Sequence, residues 1–284
     1  MLRQTVGVGV LTVLAMSFAV GADAPAAPAK LSGAEIIERN IAARGGLQAW
    51  RAVQTMSWTG KMDAGGGSVE RSRRVAEGRR GHVSKMGLPD NKDAAKGDQQ
   101  AQLPFVMEMK RPGKSRIEIE FAGKTAVQVF DGTNGWKVRP FLNRKEVESF
   151  TPDELKSEQG KDLDGPLVDY AAKGTTVEVE GIEPVEGHDA YKLKLTTKSG
   201  SVQHVWIDKQ SFLDVKIEGV PRRMDGKMRT VWVYQREFRS VQGVMIPFLL
   251  ETAVDGFHET HKMTIEKAVV NPKLDDNLFA KPKA

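Results

Sequence analysis

The sequence predicts a mainly β protein with a few short helices, built on one antiparallel sheet that curls into a barrel or part of one. Three observations predict it. Segment after segment places large apolar residues at every second position, as Met56, Trp58 and Met62 do against Ser57, Thr59 and Lys61, or Ile117, Ile119 and Phe121 against Arg116, Glu118 and Glu120. A period of two lines one face of a strand. The segments follow one another through short turns, which suits antiparallel hairpins rather than parallel crossovers. About eleven of them are too many for a flat sheet, so the sheet must curve.

The first 22 residues predict a secretory signal peptide: Arg3 gives a positive start, Val6 to Val20 an apolar run, and Val20-Gly21-Ala22 a small-residue cleavage site. The run is about fifteen residues, shorter than the ~20 of a spanning helix. The mature chain then starts at Asp23, with no later segment apolar enough to cross a bilayer, so a soluble periplasmic protein is expected. Cysteine is absent, which excludes a disulfide framework and a lipidated cysteine behind the signal. Residues 23–31, with Pro25 and Pro28 among alanines, form a disordered leader, and residues 32–284 are expected to be a single domain.

Ser32 and Glu35 form a capping box for a helix whose face is Ile36, Ile37 and Ile41 and which Gly45 and Gly46 end. Leu47 to Val53, with Trp50, gives one more helical turn before the strand Thr55 to Met62. Gly65, Gly66 and Gly67 mark a hairpin connection into a strand Val69 to Val75, and the polar stretch 76–102 reads as a mobile loop. Leu103 to Lys110 and Ser115 to Phe121 are joined by the turn Arg111-Pro112-Gly113-Lys114; Thr125 to Phe130 and Gly135 to Phe141 follow. Thr151, Pro152 and Glu154 then start a helix, and Pro166 to Ala172 reads as another, stopped by Gly174. Here a segment can fold over one open side of the sheet. Strands resume at Thr176 to Glu180, Ala190 to Thr197, Ser201 to Asp208, Phe212 to Glu218, Lys227 to Phe238, Val244 to Thr252 and Glu259 to Val269.

Chemistry-bearing motifs are weak. His258 and His261 have the wrong spacing for a helical zinc pair, and on a strand they point to opposite faces. No serine sits in a nucleophile elbow. Gly113-Lys114-Ser115 and Gly123-Lys124-Thr125 end like phosphate loops, but Glu108 and Glu118 stand where the first glycine belongs. Asp162, Asp164 and Gly165 lack the other ligands of a calcium loop. No catalytic residue, no metal site and no cofactor is therefore assigned, and an enzyme is not expected. The basic runs Arg71, Arg73, Arg74, Arg79, Arg80 and Lys110, Arg111, Lys114, Arg116 fit a solvated strand face better than an anionic partner, and nucleic acid is not an expected partner.

Apolar side chains are the resource left. Met56, Trp58, Met107, Ile117, Ile119, Phe121, Leu193 and Trp206 are the candidate lining of a binding cavity; core packing is the plainer alternative for most of them. An acyl chain of ~16 carbons buried there gains a gross ~12 kcal/mol at about 0.8 kcal/mol per methylene, before the cost of association.

Five stretches carry a resemblance to a known family: AEIIERNIAARGGLQAWRAV from Ala34, FDGTNGWKVRPF from Phe130, LDGPLVDYAAK from Leu163, VEGHDAYKLKL from Val185 and VNPKLDDNLFAKP from Val270. In these the chain resembles the LolA-like periplasmic outer-membrane lipoprotein-sorting proteins. The resemblance implies an unclosed half-barrel of LolA/LolB type with helices in or over its opening, an apolar cavity for acyl chains of lipids or lipoproteins, and membrane-bound donor and acceptor proteins. It transfers no functional residue. A monomeric carrier is the function expected; the alternative is an envelope-sensing module of the same fold that binds a periplasmic segment of a membrane protein. Which strand face lines the cavity stays open, because a slip of one residue exchanges the faces.

Overall fold

The alternating segments pair into one antiparallel sheet, seen here in a computed structural model that describes residues 31–63, 101–140, 144–159 and 161–283. The signal peptide, the leader up to residue 30, the glycine-rich connection, the strand at 69–75 and the loop up to residue 100 lie outside the described residues. Among those described, the chain runs α1 (Gly33–Ala43), α2 (Leu47–Ala52), β1 (Thr55–Asp63), β2 (Gln102–Lys110), β3 (Lys114–Phe121), β4 (Lys124–Phe130), β5 (Gly135–Arg139), β6 (Arg144–Ser149), α3 (Pro152–Glu158), β7 (Thr176–Val185), β8 (His188–Thr196), β9 (Val202–Asp208), β10 (Asp214–Met224), β11 (Lys227–Val241), β12 (Val244–Val254) and β13 (His261–Val270), closing on a 3₁₀ turn, Asp276–Phe279.

The thirteen described strands lie in the order β6-β5-β4-β3-β2-β1-β13-β12-β11-β10-β9-β8-β7. Every neighbour pair is a sequential hairpin except β1 with β13, which joins the two ends of the chain at mid-sheet. As a result β6 and β7, adjacent in sequence, occupy opposite edges. The sheet is not closed into a barrel, and residues 150–175 run from one edge to the other.

Local chemistry sets the helices as the sequence predicts. Ser32 caps α1 reciprocally with Glu35, and Thr151 caps α3 with Glu154, Pro152 occupying the first turn. Positive φ at Gly45 (+109°) and Gly46 (+94°) turns the chain from α1 into α2. A Cβ on Gly45 would sit 2.0 Å from the Gly243 carbonyl oxygen, so only glycine permits the approach. The Arg44 carbonyl beside it accepts from Met245 N and Trp50 Nε1, both at 3.0 Å, which ties the α1–α2 corner to β12. Gly60 plays the same part inside the sheet: it lies at a bulge between β1 and β13, and a Cβ there would meet Thr264 O at 2.0 Å.

Register decides the faces. Trp58 pairs with Met107, Met107 with Ile117, Ile117 with Gln128 and Gln128 with Lys137. In the other direction Met62 pairs with Met263 and Met263 with Leu250. Two residues along β12, Thr252 pairs with Val233, then Ile217, Val205 and Leu193 continue the row. This is the face the helices cover. Trp50 of α2 and Val168 of the crossing connection pack with Met56, Phe105, Ile246, Phe248 and Ile265, and α1 sets Gly33 against Val177 and Val179 of β7, with Ile36 and Ile37 fully buried.

Several expectations are corrected. Pro166 to Ala172 is not a helix but a run of turns, because Asp169 takes φ +54°, which a helix cannot contain, while its carboxylate accepts from Arg51. The sheet has more strands than about eleven; β6 went unseen because RKEVES lacks alternation. Gln102 belongs to β2 rather than to a loop. β10 starts at Asp214, since Phe212 at φ +56° lies in the preceding turn, and β13 starts at His261, which leaves His258 outside the strand.

Candidate functional site

Three pieces cover the helix-facing side: α1 over β7 to β10, α2 with residues 163–168 over the centre, and α3 over β3 to β5. α3 is placed by Lys137, a buried residue of β5 that pairs with Glu154, and by Ser115, whose hydroxyl lies 3.5 Å from Glu158. Burial raises the Glu154 carboxyl, but hydrogen bonds from Lys137 and Thr151 outweigh it and hold it below the usual carboxylate range.

Between these covers a strip of the same face is only partly sheltered. Met56 is fully buried and Phe105 nearly so, whereas Trp58, Met62, Met107, Ile117 and Ile119 are half-buried and Phe121 is 40% exposed. Trp58 Nε1 is buried and lacks a hydrogen-bond partner among the described residues, an unusual state for a donor. The strip runs along β1, β2 and β3 towards the rim where β1 and β3 end.

Six of the eight predicted lining residues, Met56, Trp58, Met107, Ile117, Ile119 and Phe121, are thus brought together. Leu193 shares their face but lies across the sheet, fully buried. Trp206 is set apart from the rest: its partners Lys192 and Lys216 are one step out of the Leu193 row, so it occupies the opposite face.

The architecture has known counterparts. The model of a family of uncharacterized proteins matches residues 166–283. No curated protein matches the sequence. Among solved structures, a LolA superfamily protein from Nitrosomonas europaea superposes with a TM-score of 0.51 at 14% identity, covering 89% of this chain and 99% of its own. A domain from Vibrio parahaemolyticus described as an outer membrane lipoprotein-sorting protein gives 0.51 at 13%, covering 87% and 95%. A DUF1329 family protein from Desulfovibrio piger gives 0.51 at 13%, covering 86% and 95%. The fold is LolA-like.

In this LolA-like sheet the opposite face carries polar and aromatic groups. Lys216 Nζ lies 4.2 Å from the ring centre of Trp206, 5.0 Å from that of Trp232 and 5.6 Å from that of Tyr234. Burial pulls the Lys216 ammonium below the usual lysine range, against the pull of Glu183. A shallow cavity of about 190 Å³ opens beside it, lined by Val185, Glu186, Tyr234, Arg236, Glu251 and Thr260 among others. Of the two cations that line it, Arg236 is held by Glu186 and Glu251, and Lys216 lies over the aromatic rings.

The basic run after β2, expected on a solvated face, proves to be a set of staples. Arg111 Nη2 donates to Asp164 at 2.7 Å and its Nε to the Val53 carbonyl at 2.7 Å. Lys110 and Lys114 reach Asp276, and Arg116 Nη1 donates to the Leu278 carbonyl. These cations fasten the crossing connection and the C-terminal turn to the sheet. Sequence reasoning missed this because Asp164 and Asp276 lie more than fifty residues from the cations of this run that they hold.

Proposed function

We propose that the protein is a soluble periplasmic carrier that shelters an acyl chain of a lipid or lipoprotein against Trp58, Met107, Ile117, Ile119 and Phe121. The observation that carries this reading is the state of the helix-covered face along β1 to β3: large apolar side chains stay half-buried, and the Trp58 indole N–H beside them has no partner among the described residues. A hydrocarbon tail supplies the apolar contact that those half-buried side chains lack. The LolA-like fold supports the same reading. A tail that buries ~16 carbons contributes a gross ~12 kcal/mol, enough to survive the cost of association as a tight complex.

In this scheme residues 1–22 are removed on export, residues 32–284 act as one monomeric domain, and membrane-bound proteins load and unload the cargo. Native mass spectrometry of detergent-free protein, with titration of a fluorescent fatty acid, tests it. A bound mass matching a lipid or acylated peptide is expected, and Met107→Ser with Phe121→Ser lowers probe affinity at least about tenfold, since each large apolar side chain contributes about 1.5–3 kcal/mol when buried. An apo mass with no probe uptake refutes the proposal. So does an affinity unchanged in the double variant.

A further inference from the structure

β1, β3, β10 and β12 run in one direction across the sheet, so Asp63, Phe121, Met224 and Val254 lie on a common rim. Among the described residues one pair of strands passes beyond it. β10 pairs with β9 only as far as Ile217, and β11 meets β12 only from Val231 onwards, yet β10 and β11 go on pairing with each other through Arg222–Arg229, Arg223–Met228 and Met224–Lys227. The result is a two-stranded ribbon that extends roughly 10 Å past its neighbours at about 3.3 Å per residue.

Its tip is basic. Arg222, Arg223 and Lys227 are exposed there, with Arg229 behind them 5.7 Å from the Phe257 ring centre, against one carboxylate, Asp225. Met228, opposite Arg223 near the tip, is 57% exposed; at the base of the ribbon Val220 is 45% and Val202 of neighbouring β9 51% exposed. Exposed apolar side chains set among cations on a two-strand tip are too narrow for a stable protein interface, which needs about 800 Å² per partner, and no aromatic residue stands at the tip to stack a base. A bilayer takes such a tip readily: the Met228 thioether enters the headgroup–acyl boundary while arginine and lysine stay at the phosphates.

We propose that the β10–β11 ribbon docks the protein on an anionic phospholipid surface, with Arg222, Arg223 and Lys227 on lipid phosphates and Met228 inserted between them. The contact brings the rim at which the half-covered strip ends to the membrane, but it stands without the carrier reading, because vesicles without any acyl probe test it.

The chain has no cysteine, so Met228→Cys in the full chain takes a single environment-sensitive dye, and Gln210→Cys at the opposite rim serves as control. Vesicles of phosphatidylglycerol mixed with phosphatidylcholine are expected to shift the dye at 228 to the blue, to leave the dye at 210 unchanged, and to sediment the unlabelled protein. High salt releases it. Arg222→Gln, Arg223→Gln and Lys227→Gln together lower the vesicle affinity about a hundredfold, near 1 kcal/mol per basic residue, with an unchanged circular dichroism spectrum. An unshifted dye at 228, equal binding to pure phosphatidylcholine, or a triple variant that binds as the parent overturns the inference.

Discussion

Arg111 and Asp164 offer the sharpest test of how the sheet is held open and yet covered. Asp164 is 2% exposed, and its two oxygens accept from Arg111 at 2.7 Å and Lys173 at 3.3 Å. The pair pins the crossing connection, whose Leu167 and Val168 are 1% and 0% exposed, over the centre of the sheet. Removing one member of a fully buried pair costs about 3–5 kcal/mol because the other charge is stranded. The Arg111 side chain is 26% exposed, and solvent screens part of that, so Arg111→Met should cost about 2–3 kcal/mol. It also frees the carbonyls of Val53 and Trp50. Asp164→Asn should cost less, about 1–2 kcal/mol, because the amide oxygen still accepts and the guanidinium keeps its two carbonyls. Urea denaturation of both single variants and the double variant gives the coupling, expected at about 1 kcal/mol or more, and Arg111→Met should lower Tm by about 5–10 °C at 2–4 °C per kcal/mol for a chain of this size. The same variant should bind more of an apolar dye at neutral pH, as Leu167 and Val168 lift. A loss below about 1 kcal/mol, or a coupling within about 0.3 kcal/mol of zero, refutes the idea that this contact holds the cover.

Leu193→Ala should cost about 2–5 kcal/mol in urea denaturation, since the side chain is 0% exposed on the face covered by α1; a loss under about 1 kcal/mol would mean that α1 does not close this part of the sheet. Stability should fall with acid. Burial raises the Asp208 carboxyl, but bonds from Ser211 and Gln210 outweigh it, and in Glu251 bonds from Thr260 and Arg236 outweigh burial likewise, so both stand below the usual range when folded. The unfolded chain then binds more protons, and stability present at neutral pH is lost from about pH 5 downwards. Glu108, raised by burial, works the other way. Urea midpoints measured from neutral pH down to acid check the sign, and a midpoint that rises on acidification contradicts it.

Local signals were legible wherever one element contains its own cause. The capping boxes at Ser32 and Thr151, the glycine stop after α1, the turns at Arg111 to Lys114 and Asp131 to Asn134, and the alternation in β1, β2 and β3 all lie within a few residues of the structure they produce. The stretch Pro166 to Ala172 reads as helix locally but forms turns, because the deciding partner of Asp169 is Arg51, more than a hundred residues away. Trp206 looked like its neighbours in sequence, and only the register between β9 and β10 puts it among Lys216, Trp232 and Tyr234 instead of with Trp58.

By itself the sequence determined that the chain makes antiparallel strands, where most of them turn, and where α1 and α3 begin. Those are consequences of steric and hydrogen-bonding rules that act over one turn or one strand. Only the tertiary structure decided that β1 joins β13, that β6 and β7 therefore end as opposite edges with a strap between them, and that Trp58, Met107, Ile117 and Ile119 are half-buried on one face. These depend on long-range pairing and on which side chains arrive together, and no local pattern fixes them.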